Sequence, residues 1–358
     1  GTDAYARSFS SGDNIFFGGM WDHWNVPTCC YDPTGQYDNE VNFVVNFFQE
    51  NQPLTIHCDK FTPGKHSSEL LSDTAISYLD RHARTNPEQP FFLYLAYLAP
   101  HDPRTMPERF KKMYDPAAIS LPENYRDSHP FPFGVEDIRD EVLAAQPRQE
   151  AEVRRHLAEY YGMISHLDHE IGRVLAKLEE TGELDNTIIV FTGDNGLAVG
   201  CHGLMGKQNL YDHSVRVPLV LRGPGIPAGE TRDQMVYLLD IFPTLCELTG
   251  LSIPASVEGS SFAPILQNQN VPGRQALYLV YNDLIRGVRT QRYKLIEYRT
   301  AANQTQLFDL EADPQERHNL ADNPAWQNIL AEMRTQLLSL RDSWEGDHPY
   351  SKTFWSHF

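Results

Sequence analysis

Cysteine is scarce in this chain: Cys29, Cys30, Cys58, Cys201 and Cys246 are the only five in 358 residues. The count is odd and the spacing fits no zinc site, so a disulfide scaffold is not expected, although one bridge stays open. Cys29-Cys30 reads as structural or incidental. Long apolar runs are also missing. Nothing approaches the ~18 residues of a membrane span, so none is expected. Basic side chains are outnumbered, 30 Lys and Arg against 48 Asp and Glu, for a formal net charge of -18. Nucleic acid is thereby excluded as a general partner, because phosphate binding needs a basic face. A small anion is not excluded, since a cation and a few basic groups suffice to line one pocket. The first residues, Gly1-Thr-Asp-Ala-Tyr5, carry neither Met nor a signal pattern and read as a cleavage scar or cut point.

What is present is a chain that is 41% hydrophobic, enough for one large domain or a large domain with a smaller one. Residues 1–65 are loop-like, and Phe16 to Trp24 reads as packed loop. Ser68 to Arg84 has Leu71, Ala75, Tyr78 and Leu79 on one helical face. Phe91 to Leu98 is a continuous apolar run, which predicts a strand buried on both faces of a parallel sheet. Residues 104–147 hold many prolines and read as a lid or substrate-side loop. Gln149 to Thr181 predicts a long amphipathic helix stopped by Gly182. Thr187 to Phe191 and Pro218 to Leu221 predict further buried strands, and Asp240 opens a helix that ends near Gly250.

After about residue 272 the texture changes. Ala276 to Val280, Arg286 to Thr290, Tyr293 to Tyr298 and Gln306 to Leu310 predict short antiparallel strands, followed by a helix from Pro324 to about Leu340. The expected fold class is therefore α/β, a mostly parallel central sheet flanked by helices over residues 1–270. A small α+β subdomain with an antiparallel sheet is expected over 271–358.

Three features point to chemistry. The apolar stretch Thr187 to Phe191 runs into Thr-Gly-Asp194-Asn195-Gly196, which places two oxygen-bearing side chains at the carboxyl end of a strand, where α/β sheets bind ligands. Such oxygens suit a hard cation, although Asp-Asn-Gly is also a common turn. Lys207 follows Gly203 and Gly206, and it is either an anion-neutralising group or a solvated surface lysine. His101 lies in Pro-His-Asp-Pro just past a strand, either to hold or protonate a substrate oxygen or as a packed loop histidine. All three fall at the carboxyl edge of the expected sheet. His202, Asp212, His213 and Arg216 lie near them in sequence, and His202 and Arg216 are the candidates for substrate binding.

These segments resemble the formylglycine-dependent sulfatases of the alkaline phosphatase superfamily. Phe91 to His101 resembles that family's strand ending in Pro-His, and Thr192-Gly-Asp-Asn-Gly196 its second metal motif. Gly206-Lys207 resembles its substrate lysine, and Val215-Arg-Val-Pro-Leu219 the segment after it. Asp240-Ile-Phe-Pro-Thr-Leu245 and Leu307-Phe-Asp-Leu-Glu-Ala-Asp-Pro314 resemble its C-terminal signatures. The match covers roughly residues 85 to 340.

The resemblance implies hydrolysis of a small-molecule or carbohydrate sulfate ester. Asp194 and Asn195 would be ligands of one Ca2+ or Mg2+ ion, and His101 and Lys207 would contact the ester and stabilise or protonate the departing oxygen. It implies a periplasmic or secreted home. Metal-dependent phosphatases of the superfamily commonly place histidine after the aspartate, whereas an amide oxygen suits a hard cation. Departures are equally specific. The chain contains no Cys-x-Pro-x-Arg or Ser-x-Pro-x-Arg segment to supply formylglycine, no paired-Asp motif near its start and no Gly-Lys-Trp-His segment. Asp212 stands where relatives often carry glutamate.

The expectation is therefore a C-terminal sulfatase portion, inactive alone, with formylglycine in a missing N-terminal part. Self-association through exposed sheet edges would follow. The alternatives are a phosphonate or phosphodiester hydrolase and a non-catalytic truncated binding module.

Overall fold

The computed structural model describes residues 9–30, 40–46, 52–300, 303–346, 348–356 and 358. The chain packs as two units. One comprises residues 1–119 with 154–186, and the other residues 120–153 with 187–358. This division differs from the sequence-based one, because residues 120–153 and 187–270 group with the C-terminal strands rather than with the first half of the chain.

The first unit holds an antiparallel pair, β1 (Glu40–Asn46) and β2 (Gln52–His57), and two helices, α1 (Ser67–Thr85) and α2 (Glu150–Glu180). α1 buries Leu71, Ala75 and Leu79, spaced four apart, with Leu70 beside them. Its N-cap is His66, an unusual choice, whose ring nitrogen Nδ1 accepts the Ser68 N–H at 3.2 Å. α2 carries Glu150 and Glu152 in its first turn, favourable to the helix dipole. It ends at Gly182, whose φ of 78° is open to glycine, with Glu183 N–H returning to the Leu178 carbonyl at 2.9 Å. The helices are tied together where Ser72 donates to the Glu170 carbonyl at 3.3 Å and Arg173 pairs with Asp73.

The run 91–98 departs from expectation. It is extended but has no ladder partner among the described residues, and its exposure alternates, with Phe92 and Tyr94 both 64% exposed. One face packs inward, where Phe91 meets His82 edge-on and the Tyr97 hydroxyl bonds Ser72 at 2.8 Å, while on the other Phe92 and Tyr94 meet only the Phe9 ring among the described aromatic contacts.

In the second unit β3 (Ile189–Thr192) pairs with β4 (Leu219–Arg222), antiparallel rather than parallel, in the register Ile189↔Arg222 to Thr192↔Leu219. No parallel pairing occurs among the described ladders. The C-terminal sheet matches its expectation: β5 (Ala276–Tyr281), β6 (Ile285–Thr290), β7 (Tyr293–Tyr298) and β8 (Gln304–Asp309) form an antiparallel meander. Its strands alternate between two buried faces. Val288, Leu295 and Leu307 pack on Leu330, Met333 and Leu337 of helix α4 (Gln327–Trp344). Ile285, Ile296, Tyr298 and Phe308 pack on Phe133, Leu204, Leu210 and Tyr211. Each fully buried Leu, Ile or Phe contributes about 1.5–3 kcal/mol. Through the second face the sheet holds the loop that carries Lys207, since Leu204, Leu210 and Tyr211 belong to it. Helix α3 (Ile241–Leu248) lies between the two sheets in sequence and takes Pro243 in its first turn.

Candidate functional site

Past β3 the chain turns through Gly193, Asp194, Asn195 and Gly196. Thr192 anchors the strand end by donating to the Pro218 carbonyl at 2.8 Å. The Asp194 side chain is exposed and accepts the Asn195 N–H at 2.9 Å, an Asx-type turn bond that leaves its second oxygen open. Gly196 then donates its N–H to the Ser214 carbonyl at 2.8 Å. A Cβ on Gly196 would lie 1.9 Å from the His213 carbonyl oxygen, so the approach requires glycine. Beyond it the loop folds back on itself, with Ala198 N–H on Gly206 O at 3.0 Å and Gly200 N–H on Leu204 O at 2.7 Å. One folded segment, residues 194–214, thus carries Asp194, Asn195 and Lys207. The Lys207 ammonium makes no ion pair among the described residues.

This segment is braced from below by groups the sequence did not announce. Arg148, fully buried, donates to the carbonyls of Gly203 at 3.0 Å, Glu141 at 2.8 Å and Ala144 at 2.6 Å, and pairs with the Glu141 carboxylate. Glu141 in turn accepts the N–H groups of Met205 at 3.0 Å and Gly206 at 2.8 Å. Burial pushes the Glu141 carboxyl up from its ordinary value, against the pull of those N–H groups and of Arg148. Both residues sit in or beside the proline-rich stretch read as a lid. An ion pair formed by folding between two loop residues has no periodic signature.

His202 is only 3% exposed, stacked flat on Tyr211 at 3.8 Å and bonded by the Asn124 amide at 3.2 Å. Burial lowers its pKa to about 3, so the ring is neutral. What His202 does in this structure is hold the loop; its ring offers no open face to a ligand. His213 is half-buried: its Nδ1 lies 3.0 Å from the Ser214 hydroxyl, and its Nε2 atom is buried with no hydrogen-bond partner among the described residues. Asp212 bonds the fully buried Lys294 ammonium, which also pairs with Glu316 at 2.6 Å. Asp212 is therefore a structural carboxylate. Arg216 is exposed and has no ion pair among the described residues.

His101 belongs to the first unit. Its backbone N–H closes a turn onto Leu98 O at 3.0 Å, and its carbonyl oxygen lies 2.9 Å from His23 Nε2. Ring nitrogen Nδ1 donates to the Asp102 carbonyl at 2.8 Å, with the Asp102 carboxylate 3.5 Å away. That assignment leaves Nε2 as the lone-pair nitrogen, available to accept a proton.

The donor chemistry of Asp194 and Asn195, one open carboxylate and one amide, fits a hard cation. It supplies only part of a coordination shell. No group of three or more His, Cys, Asp or Glu suited to a metal occurs among the described residues.

Asp194 and Asn195 after a strand and a glycine-bordered lysine on the same folded segment accompany a fold that resembles sulfatases and phosphonate hydrolases of the alkaline phosphatase class. Residues 12–251 match the family described as Sulfatase, and residues 200–343 match "N-sulphoglucosamine sulphohydrolase, C-terminal". The chain belongs to the sulfatase family. It is 30% identical over 285 residues to an arylsulfatase of Clostridium perfringens, covering 76% of this chain and 57% of that protein. Among solved structures it resembles one in complex with its substrate D-glucosamine-2-N,6-O-disulfate, with TM-score 0.70 and 22% identity over 93% of this chain and 78% of the other. It also resembles the phosphonate monoester hydrolase of Agrobacterium radiobacter, with TM-score 0.67 and 25% identity over 78% and 62%. The chain spans 44–58% of the length of the first curated relatives it matches.

Proposed function

We propose that this protein hydrolyses sulfate esters of small molecules or carbohydrates. The observation that carries the reading is that one folded segment, 194–214, bears Asp194, Asn195 and Lys207, the last without an ion pair among the described residues, in a chain of the sulfatase family. Asp194 and Asn195 would hold one Ca2+ or Mg2+ ion, which when bound would offset negative charge on the sulfate oxygens. Lys207 supplies a fixed positive charge toward the ester, and charge stabilisation of this kind commonly contributes more to catalysis than any other single effect. His101, whose Nε2 can take up a proton and then deliver it, is the candidate proton carrier of the first unit. Arg216 offers a second exposed cation toward an anionic substrate. No Cys-x-Pro-x-Arg or Ser-x-Pro-x-Arg occurs in the 358 residues, so the roles assigned here are binding, charge stabilisation and proton transfer, not attack on sulfur. A carbohydrate sulfate is favoured because a sulfated glucosamine is the substrate bound in one structural relative.

The second reading is a phosphonate or phosphodiester hydrolase, supported by the likeness to the Agrobacterium enzyme. Asn195 argues for sulfate, because a neutral amide suits a single hard cation. The test is turnover by the complete reading frame, after formylglycine conversion, on 4-nitrophenyl sulfate, a sulfated glucosamine and a phosphonate monoester. Faster turnover of the sulfates supports the proposal, and turnover of the phosphonate alone overturns it.

A further inference from the structure

We propose that His23 and His66 form a paired clamp that positions His101. The inference rests on the reading of His101 as a proton carrier. Both rings are almost completely buried, and they stack face to face with centroids 4.9 Å apart and planes within 2°. Each reaches the same loop in the same way. His23 Nε2 lies 2.9 Å from the His101 carbonyl oxygen, and His66 Nε2 lies 2.9 Å from the Thr105 carbonyl oxygen. Each is rooted at the same helix end. His23 Nδ1 lies 2.7 Å from the Ser67 hydroxyl, and His66 Nδ1 accepts the Ser68 N–H as the N-cap of α1.

The bonding fixes the tautomers. A carbonyl can only accept, so both Nε2 atoms must carry hydrogen. Nδ1 of His66 must be bare, because its partner is a backbone N–H, and Nδ1 of His23 accepts the serine hydroxyl because burial keeps that ring neutral. Both rings must be neutral, and burial does favour the neutral form, with the pKa of His23 lowered and that of His66 brought to about 3. The ring planes are fixed by aromatic walls: Trp24 meets His66 edge-on at 5.1 Å, and His166 meets it edge-on at 4.6 Å. The loop 101–105 is thus gripped at both ends from the start of α1. His101 then has its own backbone fixed on either side of the bond that its Nδ1 makes to Asp102. Nε2 of His101 has no hydrogen-bond partner among the described residues, which leaves it able to take up a proton. His23 and His66 touch no substrate; they are positioning residues.

The test is long-range 1H–15N spectroscopy of the 358-residue chain labelled at histidine ring nitrogens, with His101→Gln used to assign the His101 signals. Wild type should show His23 and His66 as Nε2–H tautomers and His101 as a single Nδ1–H tautomer. His23→Phe keeps the stack but loses the donor, and should broaden His101 into a tautomer mixture with a shifted titration. His23→Gln, whose amide N–H reaches the same carbonyl, should restore the wild-type signal. A merely structural role would lower stability in both variants and leave the His101 signals unmoved, and that result overturns the clamp. Should His23→Phe fail to fold, the wild-type spectrum still decides, because an Nδ1–H tautomer at His23 or His66 overturns it alone. Failure of the sulfatase reading would show itself elsewhere, as absent sulfate turnover by the complete reading frame with these ring signals unchanged.

Discussion

Arg148 and Glu141 form a buried ion pair whose carboxylate end accepts the backbone N–H groups of Met205 and Gly206, one residue short of Lys207. The proposed anion-binding lysine is therefore placed by an acid and a base from a different stretch of chain. Breaking a buried pair by removing one partner costs about 3–5 kcal/mol, because the remaining charge stays buried. Glu141→Gln should lower the unfolding free energy by roughly that amount in urea titrations. A loss below about 1 kcal/mol, the scale of a surface pair, would mean the pair does not brace the loop.

Gly196 meets the His213 carbonyl so closely that a methyl group has no room. Gly196→Ala should cost about 1–3 kcal/mol from overpacking. It should also break the Gly196–Ser214 hydrogen bond and displace the Asp194–Asn195 turn. Amide hydrogen exchange at residue 196 is the readout. Protection equal to wild type would show that the backbone contact is dispensable.

Acid should destabilise the fold early. Burial brings His66 and His202 to about 3, and His129 and His166 to about 4, all from an ordinary 6.5. A depressed histidine pKa means that the unfolded chain takes up protons first as pH falls. Stability is therefore full above 6.5 and declines steadily toward 3–4. The melting temperature should already fall between about pH 7 and about pH 5, where most carboxylates remain ionised. His66→Asn, which can still cap α1, should flatten part of that decline. A melting temperature constant over that range would contradict the buried neutral assignments.

Phe92 and Tyr94 stand 64% exposed on an extended segment that has no ladder partner among the described residues. Apolar side chains on an unpaired strand-like edge promote association. Light scattering should show concentration-dependent self-association of the chain, reduced in a Phe92→Ser, Tyr94→Ser double variant. A wild-type chain that stays monomeric, or a variant that associates equally, would refute this.

Local pattern carried much of the fold. Ser68 to Arg84 and Gln149 to Thr181 predict α1 and α2 to within a residue or so, because both have strong apolar spacing and clear stops. The four C-terminal strands were legible because tight turns separate short β-branched and aromatic runs. Strand partnership was not legible. The continuous run 91–98 suggested burial on both faces, yet hydrophobicity does not say which neighbour is present. For the same reason β3 and β4 looked parallel but pair antiparallel. Asp240 reads as a helix cap and does stand at the N-cap of α3, yet its carboxylate makes no capping bond there and instead gathers Tyr237 N–H, Ser260 N–H and Arg274, each at 2.8 Å. In the candidate site, Asp194, Asn195 and Lys207 stand out because they are close in sequence. Glu141 and Arg148 do not, since their meaning arises only on folding. His202 drew notice as a histidine beside the motif, but burial against Tyr211 gives it a bracing role. His23 and His66 were hidden in a stretch that reads only as packed loop.

The most direct measurement is sulfate-ester turnover by the complete reading frame carrying Lys207→Ala. Removing one positioned charge-stabilising group costs about 10²–10³-fold in rate. A fall of that size in kcat/KM on 4-nitrophenyl sulfate is predicted, with the melting temperature unchanged because Lys207 makes no ion pair among the described residues. Wild-type turnover in the variant would contradict the placement of the sulfate ester beside Lys207, and with it the reading of the segment 194–214 as the site.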